Sequence, residues 1–66
     1  MDSREIDRAM RRRSPVMYDG QKYERILEYI SFYDNEGKHQ LSAVLLQGRT
    51  SYRVPAEKIT EVSSNG

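Results

Sequence analysis

The first thirteen residues combine an apolar stripe with a basic surface. Ile6, Ala9 and Met10 follow the i, i+3, i+4 spacing of an amphipathic helix, and arginines occupy much of the remaining circumference. Ser3 stands at the position of an N-cap, and the Ser-Pro pair at positions 14 and 15 stops the helix because proline cannot continue the hydrogen-bond ladder. The pattern predicts a helix over Ser3 to Arg13 that packs along one edge.

Beyond position 15 the apolar residues fall into short runs separated by turn residues. The turn sequences are Asp19-Gly20, Asp34 to Gly37 and Gly48-Arg49, which are typical of antiparallel hairpins. The runs between them are rich in Tyr, Ile, Leu and Val, as β-strands are. They predict strands at 16–18, 21–33, 38–47, 50–54 and 59–62, with one helical turn at 55–58.

The second predicted strand is longer than most strands, so we expect it to bend between two sheets. A bulge near Glu24 or Arg25 would let both Tyr23 and Ile26 point inward, which a regular strand forbids. Such a bend favours a barrel, and the layout resembles SH3-like and Sm-like small barrels. The predicted fold class is mainly β, or α+β by element count, with an N-terminal helix followed by a five-stranded, SH3-like small antiparallel barrel. The chain divides into a basic helix and linker at 1–15, the barrel at 16–62 and a flexible tail at 63–66.

Two of the predicted strands carry apolar residues on both faces. In strand 38–47, Leu41, Ala43 and Leu45 share one face, and Val44 and Leu46 share the other. Strand 21–33 repeats the arrangement with the sets Ile26, Ile30, Phe32 and Leu27, Tyr29, Tyr33. A chain of this size cannot bury both sets, so one face is a candidate surface for self-association or ligand binding. Alternatively, the N-terminal helix covers that face within one chain.

The length and the cysteine content of the chain bear on its oligomeric state and its cellular compartment. The chain has 66 residues and no cysteine. A domain this small builds a modest core, and without disulfides it gains stability most readily by oligomerising. The lack of cysteine fits a reducing compartment, and the charged N-terminus resembles neither a signal peptide nor a membrane anchor. We expect a cytoplasmic homo-oligomer with no membrane association.

Reactive side chains are scarce. The chain has one histidine, and its acidic residues mostly alternate with basic ones, whereas catalysis needs convergent reactive groups. Asp34, Glu36 and His39 could form a metal site, but a polar hairpin tip explains the same residues. The sequence therefore predicts no enzyme, no catalytic residue, no metal and no cofactor.

Five tyrosines lie among basic residues along the predicted strands. Aromatic rings stack on bases and arginines bind phosphate, so the combination suits a nucleotide or a single-stranded nucleic acid. Alternatively, the tyrosines are simply good strand formers around a small core. The candidate ligand-binding residues are Arg25, Tyr29, Tyr33, Arg49, Tyr52 and Arg53.

Positive charge is concentrated in the helix. Residues 1–13 carry five basic and three acidic side chains, a net charge of +2, against six basic and seven acidic, or −1, for residues 14–66. A candidate basic patch comprises Arg8, Arg11, Arg12 and Arg13. The same arginines would also serve as an ordinary solvated surface.

Two resemblances extend these expectations. The basic helix end from Ala9 to Val16, the following strands and the closing segment Ile59 to Ser63 resemble the layout of Sm-like proteins, including bacterial Hfq. That resemblance implies a small barrel that binds RNA. The segments Leu-Ser-Ala-Val-Leu-Leu and Pro-Ala-Glu-Lys-Ile are similar to short proteins of bacteriophages and mobile elements. This similarity implies stoichiometric binding, such as capture of a nucleotide defence signal or occlusion of a host enzyme.

The main hypothesis is a non-catalytic, phage-type binding protein that self-associates and binds an anionic nucleotide or nucleic acid. One alternative is a protein interaction module that blocks a host protein through its apolar strands and helix. Another is an Sm-like RNA-binding protein.

Overall fold

A computed structural model describes residues 1 to 62. Its elements in chain order are α1 (Ser3–Arg12), β1 (Val16–Tyr18), β2 (Gln21–Tyr23), β3 (Arg25–Tyr33), β4 (His39–Gln47), β5 (Thr50–Pro55), a 3-10 turn (Ala56–Lys58) and β6 (Thr60–Glu61). The tail predicted at 63–66 lies outside the described residues.

Helix α1 begins with a capping box formed by Asp2 and Glu5. The Glu5 N–H donates to the Asp2 carboxylate at 2.9 Å, and the Asp2 N–H donates to the Glu5 carboxylate at 3.1 Å. Ser3 is the first helical residue, so the prediction of Ser3 as the N-cap is wrong by one position. The helix ends where Arg13 adopts a left-handed conformation with φ of 53°, and the Arg13 N–H donates to the Met10 carbonyl.

A tight hairpin starts the first sheet. Asp19 and Gly20 have φ of 52° and 76°, the pair of positive values that a type I′ turn requires, as the Asp-Gly sequence predicts. The turn sets Val16 of β1 opposite Tyr23 of β2. On its other side β1 pairs with β6, which gives an antiparallel sheet of order β2-β1-β6.

The second sheet has the order β3-β4-β5 and is antiparallel throughout. Its two hairpins turn where the sequence predicts, after Asp34 and at Gly48-Arg49. Leu27 is an extra residue in β3, because the register shifts between Ile26 and Glu28. Such a bulge reverses the faces of the residues on either side of it.

The strand predicted at 21–33 is two strands in different sheets. Both Tyr23 and Ile26 are buried as predicted, but a bend at Glu24 separates them, and the bulge predicted near Glu24 or Arg25 lies instead at Leu27. At the bend the Glu24 N–H donates to the Leu46 carbonyl at 2.8 Å. β2 and β3 therefore leave this point in separate sheets.

The predicted five-stranded barrel is wrong. The described chain is a small α+β protein with one helix, six strands and two separate three-stranded sheets that do not close into a barrel. Closure requires hydrogen-bonded strands on all sides, but β1 and β2 have three residues each and β6 has two. These short strands form their own sheet and pack against the longer one.

One core joins all of these elements except β6, whose two residues are exposed. The helix contributes Ile6 and Ala9, which pack with the first sheet on one face of the second sheet. The buried core residues are Ile6, Ala9, Val16, Tyr23, Ile26, Ala43, Leu45, Val54, Ala56 and Ile59. The buried apolar residues of the second sheet thus lie on one face only.

Substitutions of Leu45 and Leu46 test which face of the second sheet is buried. Leu45→Ala removes a fully buried side chain and should lower the free energy of unfolding by about 2–5 kcal/mol, enough to unfold so small a domain. Leu46→Ala makes the same chemical change on the half-buried opposite face and should cost much less. Urea unfolding followed by circular dichroism measures both, and equal losses would contradict the assigned faces.

Candidate functional site

The face of the second sheet that points away from the helix is a candidate functional surface. Directly opposed residues of an antiparallel pair share a face, so the register assigns every member. We call this surface the outer face. Its residues are Arg25, Glu28, Ile30 and Phe32 on β3, Gln40, Ser42, Val44 and Leu46 on β4, and Ser51, Arg53 and Pro55 on β5.

Four apolar side chains form the centre of the outer face. Ile30, Phe32, Val44 and Leu46 are half-buried, and none of them belongs to the core. The alternative in which the helix covers this second apolar face is wrong, because α1 packs into the core on the opposite face. Within residues 1–62 this apolar centre therefore has no covering layer, which is typical of contact surfaces.

Three charged side chains surround this apolar centre. Arg25 and Glu28 lie on β3, and Arg53 lies on β5 across from Val44. The Arg53 guanidinium carbon is 5.3 Å from the centre of the Phe32 ring, within cation–π range. Within residues 1–62, neither arginine has a carboxylate oxygen within 4 Å. Both guanidiniums can therefore donate to an external group.

The candidate tyrosines lie on the other face. Tyr29 is opposite Ala43 and Tyr52 is opposite Leu45, so both share the face of the core while remaining 40% and 43% exposed. Tyr33 is 73% exposed at the end of β3. The sheet separates these rings from Arg25 and Arg53, and the predicted mixture of tyrosine and arginine does not form one surface.

Aromatic neighbours account for part of the tyrosine placement. The Tyr52 ring meets the buried Tyr23 ring edge-on at a centroid distance of 5.8 Å. The Tyr33 ring lies 5.3 Å from the His39 ring across the β3–β4 hairpin. Tyr52 thus extends the core at its margin, as the strand-former alternative describes.

The remaining candidate arginines are dispersed. Arg49 is exposed in the turn between β4 and β5. Arg11 forms an i, i+4 ion pair with Asp7 at 3.1 Å, and Arg12 and Arg13 are exposed at the end of the helix. Because α1 lies across the core from the outer face, the basic patch and the outer face are separate surfaces.

Two clefts, of about 330 and 340 Å³, lie beside Met1 and Glu57. Of the predicted binding residues only Arg8 lines either cleft. It shares the second cleft with the carboxylates of Glu5, Glu57 and Glu61. Their negative charge disfavours an anionic ligand at Arg8.

Contacts within the β3–β4 hairpin engage the three side chains considered as metal ligands. The Glu36 carboxylate lies 3.6 Å from the Lys38 ammonium group. The Asp34 carboxylate accepts hydrogen bonds from the N–H groups of Glu36 and Lys38, both at 2.9 Å, and from the Gln40 side chain at 3.0 Å. His39 Nε2 is hydrogen-bonded to the Ser31 hydroxyl. Within residues 1–62, no three His, Asp or Glu side chains are grouped to hold a metal ion.

Sequence reasoning missed the partnership of Arg53 with Phe32. It also grouped Ile26 with Ile30 and Phe32, whereas the bulge at Leu27 places Ile26 in the core and the other two on the outer face. The signal was present in the alternation of apolar residues at 30 and 32 with those at 44 and 46. The hairpin turn places these four residues on one face, and the bulge position was needed only to separate Ile26 from them.

Comparisons with family models, curated proteins and solved structures find no match for this chain. The resemblances to Sm-like and bacteriophage proteins therefore stay predictions. Within the described part of the chain, no helix has both the length and the apolar character needed to cross a bilayer. The cytoplasmic location also stays a prediction.

Asp34 should make the hairpin sensitive to acid. The Lys38 N–H, followed by the Gln40 side chain and the Glu36 N–H, holds the pKa of Asp34 below its ordinary value of 3.8, against a smaller opposing effect of desolvation. A lowered folded-state pKa stabilises the protein above the unfolded pKa, and the contribution disappears as pH falls through the folded value.

The Asp34→Asn variant removes this charge at nearly constant size. Its melting temperature should lie below that of the wild type near pH 6, and the difference should shrink as pH falls below about 4. Thermal unfolding at a series of pH values measures the difference. A gap that stays constant down to about pH 2 would contradict the role of the carboxylate.

Proposed function

We propose that this chain is a non-catalytic binding protein that docks a partner protein on its outer face. The proposal depends chiefly on the half-buried apolar centre formed by Ile30, Phe32, Val44 and Leu46, which no described part of the chain covers. An apolar centre within a charged rim is the usual anatomy of a protein interface.

The outer face also suggests the chemistry of the partner. Its rim carries two arginines and one glutamate, and the Arg25 and Arg53 guanidiniums have no carboxylate nearby among the described residues. A partner with an apolar patch flanked by carboxylates would cover the centre and accept charge-assisted hydrogen bonds from both arginines. Occupying such a patch would block whatever that partner normally binds there.

Adjacent aromatic residues provide a matched test. Phe32→Glu places a carboxylate in the centre of the outer face, and Tyr33→Glu makes the same charge change at the next residue on the opposite face. Proteins retained from a lysate of the source cells are identified by mass spectrometry, and each is purified for calorimetry. Phe32→Glu should weaken binding at least about tenfold, as at an interface hot spot, and Tyr33→Glu should leave it unchanged.

Circular dichroism and thermal unfolding establish that both variants are folded. A purified partner that binds Phe32→Glu as tightly as it binds the wild type would refute docking on the outer face. So would equal losses for the two variants, because Tyr33 lies on the other side of the sheet.

A nucleotide or nucleic-acid ligand is a second candidate, because Arg53, Phe32 and Arg25 share the outer face. Here a base would stack on Phe32, in place of the predicted tyrosines, and the two arginines would bind phosphate. Capture of a nucleotide defence signal would be one form of this function.

Salt dependence separates the two candidates. A phosphate ligand should lose affinity steeply between about 50 and 200 mM salt, whereas docking through the apolar centre should change little. Calorimetry with a cyclic dinucleotide and a short single-stranded RNA provides the measurement. Arg53→Ala should weaken nucleotide binding and reduce the salt slope by about one, while Arg12→Ala on the helix should not. Absence of heat with both ligands would eliminate this candidate.

A further inference from the structure

Strand β3 has an open edge. The order β3-β4-β5 leaves one side of β3 without a neighbouring strand in the described chain. From Glu28 to Tyr33 its pairing with β4 is regular, and the segment contains no proline or glycine. Glu28, Tyr29, Ser31 and Tyr33 are exposed along it. A regular, exposed edge of this length presents unpaired backbone groups to which another strand can bind.

The other open edges are poorer templates. β2 has three residues and β6 has two, too few for a stable pairing. β5 is longer but carries Arg53 and ends at Pro55, which has no N–H to donate. The regular part of β3 carries only one charged side chain, that of Glu28.

The negative charge of Glu28 has an opposite charge on the outer face, that of Arg53. Glu28 and Arg53 lie on either side of Val44 in the same row of the sheet, yet their charged groups are not within 4 Å of each other. Arg53 leans over Phe32 instead. Within residues 1–62, Glu28 has no basic group within 4 Å, so both charges are available to a group outside the chain.

We propose that a second copy of this chain binds at this edge, β3 against β3 in antiparallel orientation, with Ile30 opposite Ile30 on a two-fold axis. In this register Glu28 of one copy lies opposite Phe32 of the other. Arg53 of that other copy already lies over its own Phe32, so the incoming carboxylate meets a guanidinium. The two-fold axis repeats this contact, which gives two intermolecular ion pairs.

Charge and parity select this register. Outer-face residues of one copy must lie opposite outer-face residues of the other. The two-fold axis must then pass through a residue of β3, and the candidates are Tyr29, Ile30 and Ser31. Centring on Ser31 would set Glu28 against Asp34, two like charges directly opposed. Centring on Tyr29 would bring the bulged Leu27 into the pairing and interrupt the hydrogen bonds. Ile30 avoids both problems.

Pairing at the edge yields one six-stranded sheet whose outer faces are continuous. This inference goes beyond the proposed function and does not depend on it, because backbone edges pair while the outer faces stay open. Pairing engages Arg53 with Glu28 of the other copy, so a partner bound to the paired form would use the apolar centre and Arg25.

A charge-reversal cycle tests the pairing. Light scattering of the wild type at rising concentration should show the mass moving from 7.7 kDa toward twice that value. Glu28→Arg and Arg53→Glu should each hold the mass at the monomer value over the same range, and the double variant should restore the rise. Glu57→Arg and Lys58→Glu make equal charge changes on the 3-10 turn and should behave as the wild type does.

Hydrogen exchange gives a second measurement that needs no variant. Amides between 28 and 32 should become more protected as the wild-type concentration rises, while those of β5 stay constant. A wild type that remains a monomer throughout, single variants that dimerise normally, or a double variant that does not recover would each overturn the proposal. A wild type that stays monomeric but still binds its partner through the outer face would refute this inference and leave the proposed function standing.

Discussion

Ala43 and Leu45 are buried because helix α1 and the first sheet pack on the same side of β4. The helix, β1, β2 and the 3-10 turn all contribute side chains to one core on that side. Within the described part of the chain, the hydrophobic residues of the opposite side consequently lack a second layer. The candidate interface thus follows from the small number of elements and not from any specialised loop.

Local signals in the sequence are sufficient for most of the elements. Proline after Ser14, Asp-Gly at 19–20 and the turns after Asp34 and Gly48 place the helix and hairpins within one or two residues. Local signals do not predict whether a barrel closes, because closure depends on pairing between strands distant in sequence. The strands at 16–18, 21–23 and 60–61 are too short for that pairing, and the brevity of strand 21–23 becomes visible only once the bend at Glu24 is known.

The site shows the same division between local and non-local information. Apolar residues on both faces of β4 are evident from parity alone, and they correctly indicate a surface that the core does not use. Tyrosine and arginine residues that alternate along the chain, in contrast, fall on opposite sides of a strand. Tyr52 and Arg53 are adjacent in sequence and for that reason point in opposite directions. Their separation is a property of β-geometry that composition does not reveal.

The bulge at Leu27 decides which side chains of this segment enter the core. The hairpin turn fixes the pairing of β3 from Glu28 onward, so the bulge alone decides which residues before it face inward. If the present sequence paired regularly without this bulge, strand alternation counted back from Glu28 would turn Arg25 toward the core and Ile26 toward water. An unpaired guanidinium in an apolar interior is far less tolerable than an altered aliphatic side chain at Leu27. Over evolutionary time the irregular pairing at this point should therefore be inherited more strictly than the identity of the residue at position 27.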